Sequence, residues 1–559
     1  MDEVTKMGWR SRECLVIIFF IISATLIGGV WGEENSSDKI GAHANLGRAN
    51  LTGVDLRGAD LSQSYLISTN LSRSDLSHAN LSYSVLRGAD LRDANLAGSD
   101  LSGADMRGAD LAGANLSKAL MNRTNLEKAQ LRGANLSRTE LAGALMAGTG
   151  LVGADLRGSN LEGAVLSDTN LTNARLNNAS LKSANLDRSN LAGANLSGAD
   201  VSMTYLRYAL LPGANLSSAK VVGSDFFKGD LIGCDLSGAD LSGSRFPQAN
   251  LSHSRLVGAD LYRINLSQAD LSWADLSGVE LEEAELDGVK LQGARMVGAD
   301  LEKATVDELN PDLTGADLTD ARLMLTDLSG GRMHGIYLVN AYMVGGRMSL
   351  ADMSDSYLSG GQLSRSEFYG TNLSGSDLSR CDLTRSVLSR SNLTGANMQE
   401  ADLSYADLSA ADLKGASLGR AKLDYVNLEG TNMEGVDLRN TILESVQLTS
   451  TNLQKAMMDR MQVKDVTFNK VTMQRASLKY INISEVTLND VNLTGVNLEG
   501  AVLSFVSMRG VNLTGANLKG IKCDQTSLCS LSRSRLDGAI MDYGLKAQLA
   551  SSKGACIAG

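Results

Sequence analysis

Residues 88–117 read GADLRDANLAGSDLSGADMRGADLAGANLS. A bulky apolar residue returns every five positions: Leu91, Leu96, Leu101, Met106, Leu111, Leu116. A small residue, usually Ala or Ser, stands two places before each, and Asp or Asn stands directly before it. Polar residues follow, then often Gly. Outward from this stretch the same beat holds from Leu46 to Val306, slips by two at VDELNPDL (306–313), and resumes from Leu313 to Leu528. A second slip leads to Leu531 and Leu536. No centre of the two long runs is charged, although 21% of the chain is, so burial selects these positions.

A period of five suits neither regular element. On an α-helix it advances each Leu by about 140°, which leaves no single apolar face. On a flat strand an odd period sends successive Leu residues to opposite sides. A chain that bends once per unit, always placing Leu and the small residue inside, satisfies the pattern. Gly, Asn and Asp are the residues that tolerate such bends. Each coil must then hydrogen-bond to the next. One buried Leu contributes about 1.5–3 kcal/mol, less than a five-residue unit loses in backbone entropy at about 1–2 kcal/mol per residue. No coil is expected to stand alone; stability comes from stacking.

The units ANLSG, ADLSG, ADLRG and ANLTG resemble the pentapeptide-repeat family over about residues 45–536. That resemblance implies an all-β fold: a right-handed, four-sided parallel β-helix of about 24 coils, four units to the coil. The boundaries that follow are 1–32 for a signal peptide or signal anchor and 33–44 for a polar linker. Solenoid segments run over 45–306 and 313–538, with a register-break loop at 307–312 and a C-terminal cap or tail at 539–559. Residues 540–550 (IMDYGLKAQLA) are expected to form a short helix covering the open end. The break is expected to bulge at a corner, because Pro311 cannot donate a ladder hydrogen bond.

Residues 14–31, CLVIIFFIISATLIGGVW, follow Arg10 and Arg12 and precede EENSSD. They are expected to form an N-terminal hydrophobic helix. Cleavage near Gly32 and retention as an anchor both export residues 33–559. The expected location is extracytosolic, with membrane contact only through an uncleaved leader. Export permits a disulfide, and Cys529–Cys556 is the candidate pair; Cys234, Cys381 and Cys523 fall at inward positions. Asn35, in the polar linker, is the candidate N-glycosylation acceptor, whereas NLS and NLT at Asn50, Asn70 and later coils are the repeat itself spelled out.

Catalysis finds no support in the residues. His43, His78, His253 and His334 are isolated, and HExxH, CxxC, GxSxG and Walker motifs are absent. No cofactor or metal is expected; the free exchange of Asp with Asn fits side chains bonding to backbone at the bends better than a cation site. A net charge of −11 argues against nucleic acid as a partner.

With four units per coil, residues twenty apart are vertical neighbours. Asp240, Asp260, Glu280 and Asp300 then stack in one acidic column. Residues 260–312 hold 13 acidic and 4 basic side chains, nine of the net eleven negative charges. This is a candidate docking surface for a basic protein. Asp327–Arg347–Glu367 and Arg332–Asp352 read as compensating charge ladders. Tyr337 should stack on Tyr357, and with Arg332, His334 and Tyr342 they form a candidate aromatic and basic patch. The functional reading is a non-catalytic exported or membrane-anchored scaffold that binds a protein partner, with homodimerisation through the solenoid ends a further expectation. Two alternatives stand beside it. One is a DNA mimic that binds a topoisomerase, as the quinolone-resistance group of the family does; the other is an ice- or surface-binding solenoid, for which flat ranks of Thr are not found.

Overall fold

The computed structural model describes residues 41–304 and 311–555. The chain divides into two compact units, one ending at Asn195 and the other beginning at Leu196. In each, the backbone is a parallel β-solenoid. In the first, Asn45 bridges Tyr65, Asn50 bridges Asn70, Asp55 bridges Asp75 and Asp60 bridges Asn80, and every later rung repeats the offset of twenty. Four bridge columns mean four sides.

One pentapeptide, Thr69–Arg73, accounts for every backbone N–H. Thr69 N–H donates within the coil to Leu66 O (3.2 Å) and closes the turn. Asn70 N–H donates to Ala49 O on the preceding coil (2.9 Å). Leu71 and Arg73 donate to Asp90 O (2.7 Å) and Arg92 O (2.8 Å) on the following one. Only the Ser72 N–H finds no carbonyl, and the Asn70 side chain takes it at 3.0 Å. A polar backbone group without a partner is costly, so an acceptor two residues upstream of that N–H is what the Asp/Asn position supplies.

Positive φ falls elsewhere, two residues after each Leu. Gly often stands there, as at Gly53 (67°), but so do Arg48 (61°), Tyr83 (57°) and Trp273 (62°). Asp and Asn stand there too, as at Asp93 (56°) and Asn173 (55°), whereas the Asp or Asn directly before each Leu bonds the bend from outside it. The small inward residue is Ala where nothing polar is needed. Where it is Ser, Thr or Cys it donates inside, as Thr124 Oγ1 does to Leu101 O (2.9 Å) and Cys234 Sγ to Leu211 O (2.9 Å). The Leu columns fill the lumen, and Phe226 and Phe246 stack there fully buried with centroids 4.4 Å apart.

In the second unit the ladder offset changes once from twenty to twenty-two: Lys290 bridges Asp312, Arg295 bridges Asp317, Asp300 bridges Arg322. This is the two-residue slip, and residues 305–310, where the expected bulge falls, lie outside the described residues. Pro311 itself is buried in a small-residue position, where an N–H would close the turn rather than the ladder. Its carbonyl still accepts from Arg332 (2.9 Å). The reason given for a bulge at Pro311 thus does not apply.

Further on, three-residue strands form: β1 Ile442–Glu444, β2 Gln447–Thr449, β3 Gln462–Lys464, β4 Thr467–Asn469, β5 Asn482–Ser484, β6 Thr487–Asn489, β7 Val502–Ser504, β8 Ser507–Arg509 and the shorter β9 Lys522–Cys523. They make two parallel sheets, β1-β3-β5-β7-β9 and β2-β4-β6-β8. Bulkier inward residues such as Val446, Val466, Ile481 and Val486 accompany them, as β-propensity favours.

Two helices follow, α1 Gln525–Ser532 and α2 Tyr543–Ala555. Helix α1 packs on β7, β8, β9 and α2. Leu528 therefore stands on a helix, and the pentapeptide path ends one unit earlier than its spacing suggests. The ladder resumes briefly beyond α1, where Asn512 bridges Arg535 and Asn517 bridges Ile540. Leu531, Leu545 and Leu549 are buried beneath the cap. Each helix begins with an Asp that also grips the solenoid. Asp524 accepts from Ser527 N–H (2.8 Å) and Phe505 N–H (2.7 Å). Asp542 accepts from Leu545 N–H (2.8 Å) and Gly520 N–H (3.0 Å). The expected N-terminal helix falls outside the described residues, and no helix among those described is long and apolar enough to cross a membrane.

Candidate functional site

The acidic column lies wholly in the second unit. Lys220 bridges Asp240, which bridges Asp260, then Glu280, Asp300 and Arg322 in unbroken succession. Three carboxylates also serve the backbone: Asp240 accepts from Ser242 N–H (3.2 Å), Asp260 from Tyr262 N–H (2.9 Å) and Asp300 from Glu302 N–H (3.0 Å). Asp300 pairs with Arg322 at 3.5 Å. Among the described residues Asp240, Asp260 and Glu280 have no ion-pair partner. At the bounding corner Glu283 meets Arg263 (2.7 Å) and Glu282 meets Lys303 (3.1 Å).

Other columns show what this one lacks. Asn95 Nδ2 donates to Asp75 (3.0 Å), Asn115 to Asn95 (3.1 Å) and Asn135 to Asn115 (3.1 Å). An Asn thus hydrogen-bonds down its column while its oxygen holds the backbone. Asp on Asp has no donor, and like charges one strand spacing apart repel. An acidic stack is unfavourable for the isolated chain and favourable toward a cation.

The aromatic set is divided. Tyr337 and Tyr357 do stack, with centroids 4.6 Å apart and planes 8° from parallel. Arg332 occupies the preceding side and Tyr342 the following one, so the five residues spread over three faces rather than one patch. His334 Nδ1 lies 3.1 Å from the Ser354 hydroxyl and 3.9 Å from Asp355. Arg347 pairs with Asp327; burial pushes the Asp327 carboxyl up, but the guanidinium and Ser329 together hold it below its ordinary value. Arg332 stands over Asp352 without an ion pair among the described residues.

A second stack went unread in the sequence. Tyr405 and Tyr425 lie 4.9 Å apart and 3° from parallel, and the Arg385 guanidinium sits 5.4 Å over Tyr405. The twenty-residue spacing of the two tyrosines was its signal, but both sit at the positive-φ corner, where Gly was expected.

Cys234 and Cys381 are free and buried, and burial pushes each thiol up to about 12, which leaves them unreactive. Cys523 is free and half-buried. Cys529 is disulfide-bonded; Cys556, its expected partner, and Asn35 lie outside the described residues. No group of three or more His, Cys, Asp or Glu among the described residues is arranged to hold a metal ion. Thr467 stands in register with Thr487, and Ser507 is next in that sheet.

Fold and columns together define a four-sided β-solenoid with graded surface charge. The pentapeptide-repeat profile matches residues 44–226, 230–302, 312–345, 347–469 and 481–520, and the chain belongs to that family. Among solved structures it is similar to HetL, a pentapeptide-repeat protein involved in heterocyst differentiation regulation from the cyanobacterium Nostoc sp. strain PCC 7120. The identity is 33%, over 40% of this chain and 90% of that one, with a TM-score of 0.28. It is also similar to QnrB1, a plasmid-mediated fluoroquinolone resistance protein, at 20% identity over 41% and 89% of the two chains, with a TM-score of 0.19. A pentapeptide-repeat protein of the Arabidopsis thaliana thylakoid lumen matches at 28% identity over 17% and 64%, with a TM-score of 0.12. A search of curated proteins found no match.

Proposed function

We propose that this chain is a non-catalytic interaction scaffold, exported through its N-terminal apolar segment, whose second unit docks a basic protein surface on the Asp240–Asp300 side. The observation that carries this reading is the run of stacked carboxylates, Asp240, Asp260 and Glu280, without ion pairs among the described residues, whereas the stacked pairs Asp55–Asp75 and Asp90–Asp110 are each bridged by an arginine, Arg57 and Arg92. The dispersal of His43, His78, His253 and His334 supports the non-catalytic part, and where His334 meets the Ser354 hydroxyl the same Nδ1 also faces Asp355, so among the described residues no separate orienting partner holds the ring as a relay would need. The leader at 14–31 supports export.

The test is binding of a Lys/Arg-rich peptide to the full chain and to Asp260→Asn/Glu280→Gln/Asp300→Asn. Loss of at least about tenfold in affinity, shrinking as salt rises, is expected. Binding that is unaltered by the substitutions and insensitive to salt overturns the docking reading. The N-terminal residue of the mature protein and its compartment test the export reading separately.

A further inference from the structure

The inside of the solenoid changes character toward the cap. On the coil of Leu393, Met398, Leu403 and Leu408 the small inward residues are Ser391, Ala396, Ala401 and Ala406, and the four centres are fully buried. On the coil of Ile483, Leu488, Leu493 and Leu498 all four small positions are branched instead: Ile481, Val486, Val491 and Val496. Interiors are close-packed, so branched side chains at every corner need room and the coil widens. Its centres are still Ile and Leu, and their tips no longer fill the axis. These four centres are between 4% and 8% exposed, although coils stack on both sides of them. That exposure is inward.

The axis there holds a cavity of about 30 Å³ that reaches from Met458 to Leu531 of α1. No polar atom of the described residues faces it. One water needs about 10–15 Å³, which the cavity exceeds, but a water also needs about two to four polar partners, and without them the cavity is dry. A void of this kind forfeits dispersion contacts all round its wall. An apolar guest restores those contacts and strips no polar group of water.

We infer that the lumen beneath the cap is a binding site for a small apolar guest, a gas atom or a molecule of a few heavy atoms. Met473 and Met508 stand in its wall, and their flexible thioether chains adapt it to guests of different shape. Met508 and Ile521, also of the wall, are half-buried, so the approach runs at the cap end, beside α1.

The experiment is methyl nuclear magnetic resonance of the full chain under rising pressure of xenon, the probe. Saturable shifts are expected at the methyls of Ile483, Leu488, Leu493 and Leu498, and only weak linear ones at Leu393, Leu403 and Leu408. Leu488→Phe fills the axis. Leu488 lies in register with Phe468, and this solenoid already stacks Phe226 on Phe246, so the new ring has a seat. That variant should bind xenon at least about tenfold more weakly. Circular dichroism checks its fold. If it does not fold, Leu488→Met, which conserves volume and reaches farther along the axis, takes its place and should weaken binding by a smaller factor. Shifts that stay linear at every lumen methyl of the wild type overturn the inference. Saturable shifts that a folded filling variant leaves unaltered overturn it as well.

Discussion

Replacing Asp524 with Ala isolates the device that joins the cap to the solenoid. Its carboxylate holds Ser527 N–H at the start of α1 and Phe505 N–H at the end of the ladder. Loss of the N-cap costs about 1 kcal/mol. Loss of a charge-assisted bond to the ladder adds about 1.5 kcal/mol at the lower end of the usual range, since Phe505 is exposed and water can replace the acceptor. The sum, about 2–3 kcal/mol, should appear locally, because each coil touches only its neighbours. Amide exchange at Phe505, Val506 and residues 525–532 should therefore quicken by about 30- to 150-fold. Coils before Ile442 should exchange as in the wild type. Asp524→Asn, which keeps one acceptor oxygen, should fall between the two. Unchanged rates at Phe505 and α1, or uniform acceleration across 196–555, would refute the reasoning. Acid gives a second readout. Burial pushes the Asp524 carboxyl up, but the donations from Ser527 and Phe505 hold it below its ordinary value. Asp542 is likewise held low by Leu545 and Gly520 N–H. Their contributions are complete above the unfolded value near about 3.9 and are lost as pH falls through the lower folded value, so acid should loosen the cap.

Asn115→Asp removes the donor to Asn95 and sets an oxygen against an oxygen; it should destabilise the adjoining coils by about 0.5–1.5 kcal/mol in denaturant melts, whereas Asp260→Asn should stabilise its column. Phe246→Ala empties half of a fully buried ring stack and should cost about 3–5 kcal/mol, read as exchange of the Phe226 and Phe246 coils. Gly293 has φ of 64°, and an added Cβ would fall 2.5 Å from the Trp273 ring. Gly293→Ala should therefore displace that ring, lowering its near-ultraviolet dichroism, at a backbone cost of about 1–2 kcal/mol.

The beat of Leu, Ala and Asp was sufficient to read a bending chain with one inside, because burial acts on every unit alike and leaves a period in the sequence. Stacked neighbours such as Tyr337 with Tyr357 and Asp240 through Asp300 followed once four sides were granted, since columns are arithmetic on that number. The role of Asp and Asn was only half legible. Their exchange pointed to backbone bonding, but which N–H lacked a partner depends on how successive coils pair. Corner residues were half legible for a related reason. Positive φ there is imposed by the turn and paid by the stack, so Arg, Lys and Tyr occupy places where local preference favours Gly. The position of Leu528 on a helix, the seat of Pro311 inside the coil and the double grip of Asp524 and Asp542 were set by tertiary structure. Each depends on a particular neighbour at one end or one break, where the repeat no longer constrains the answer.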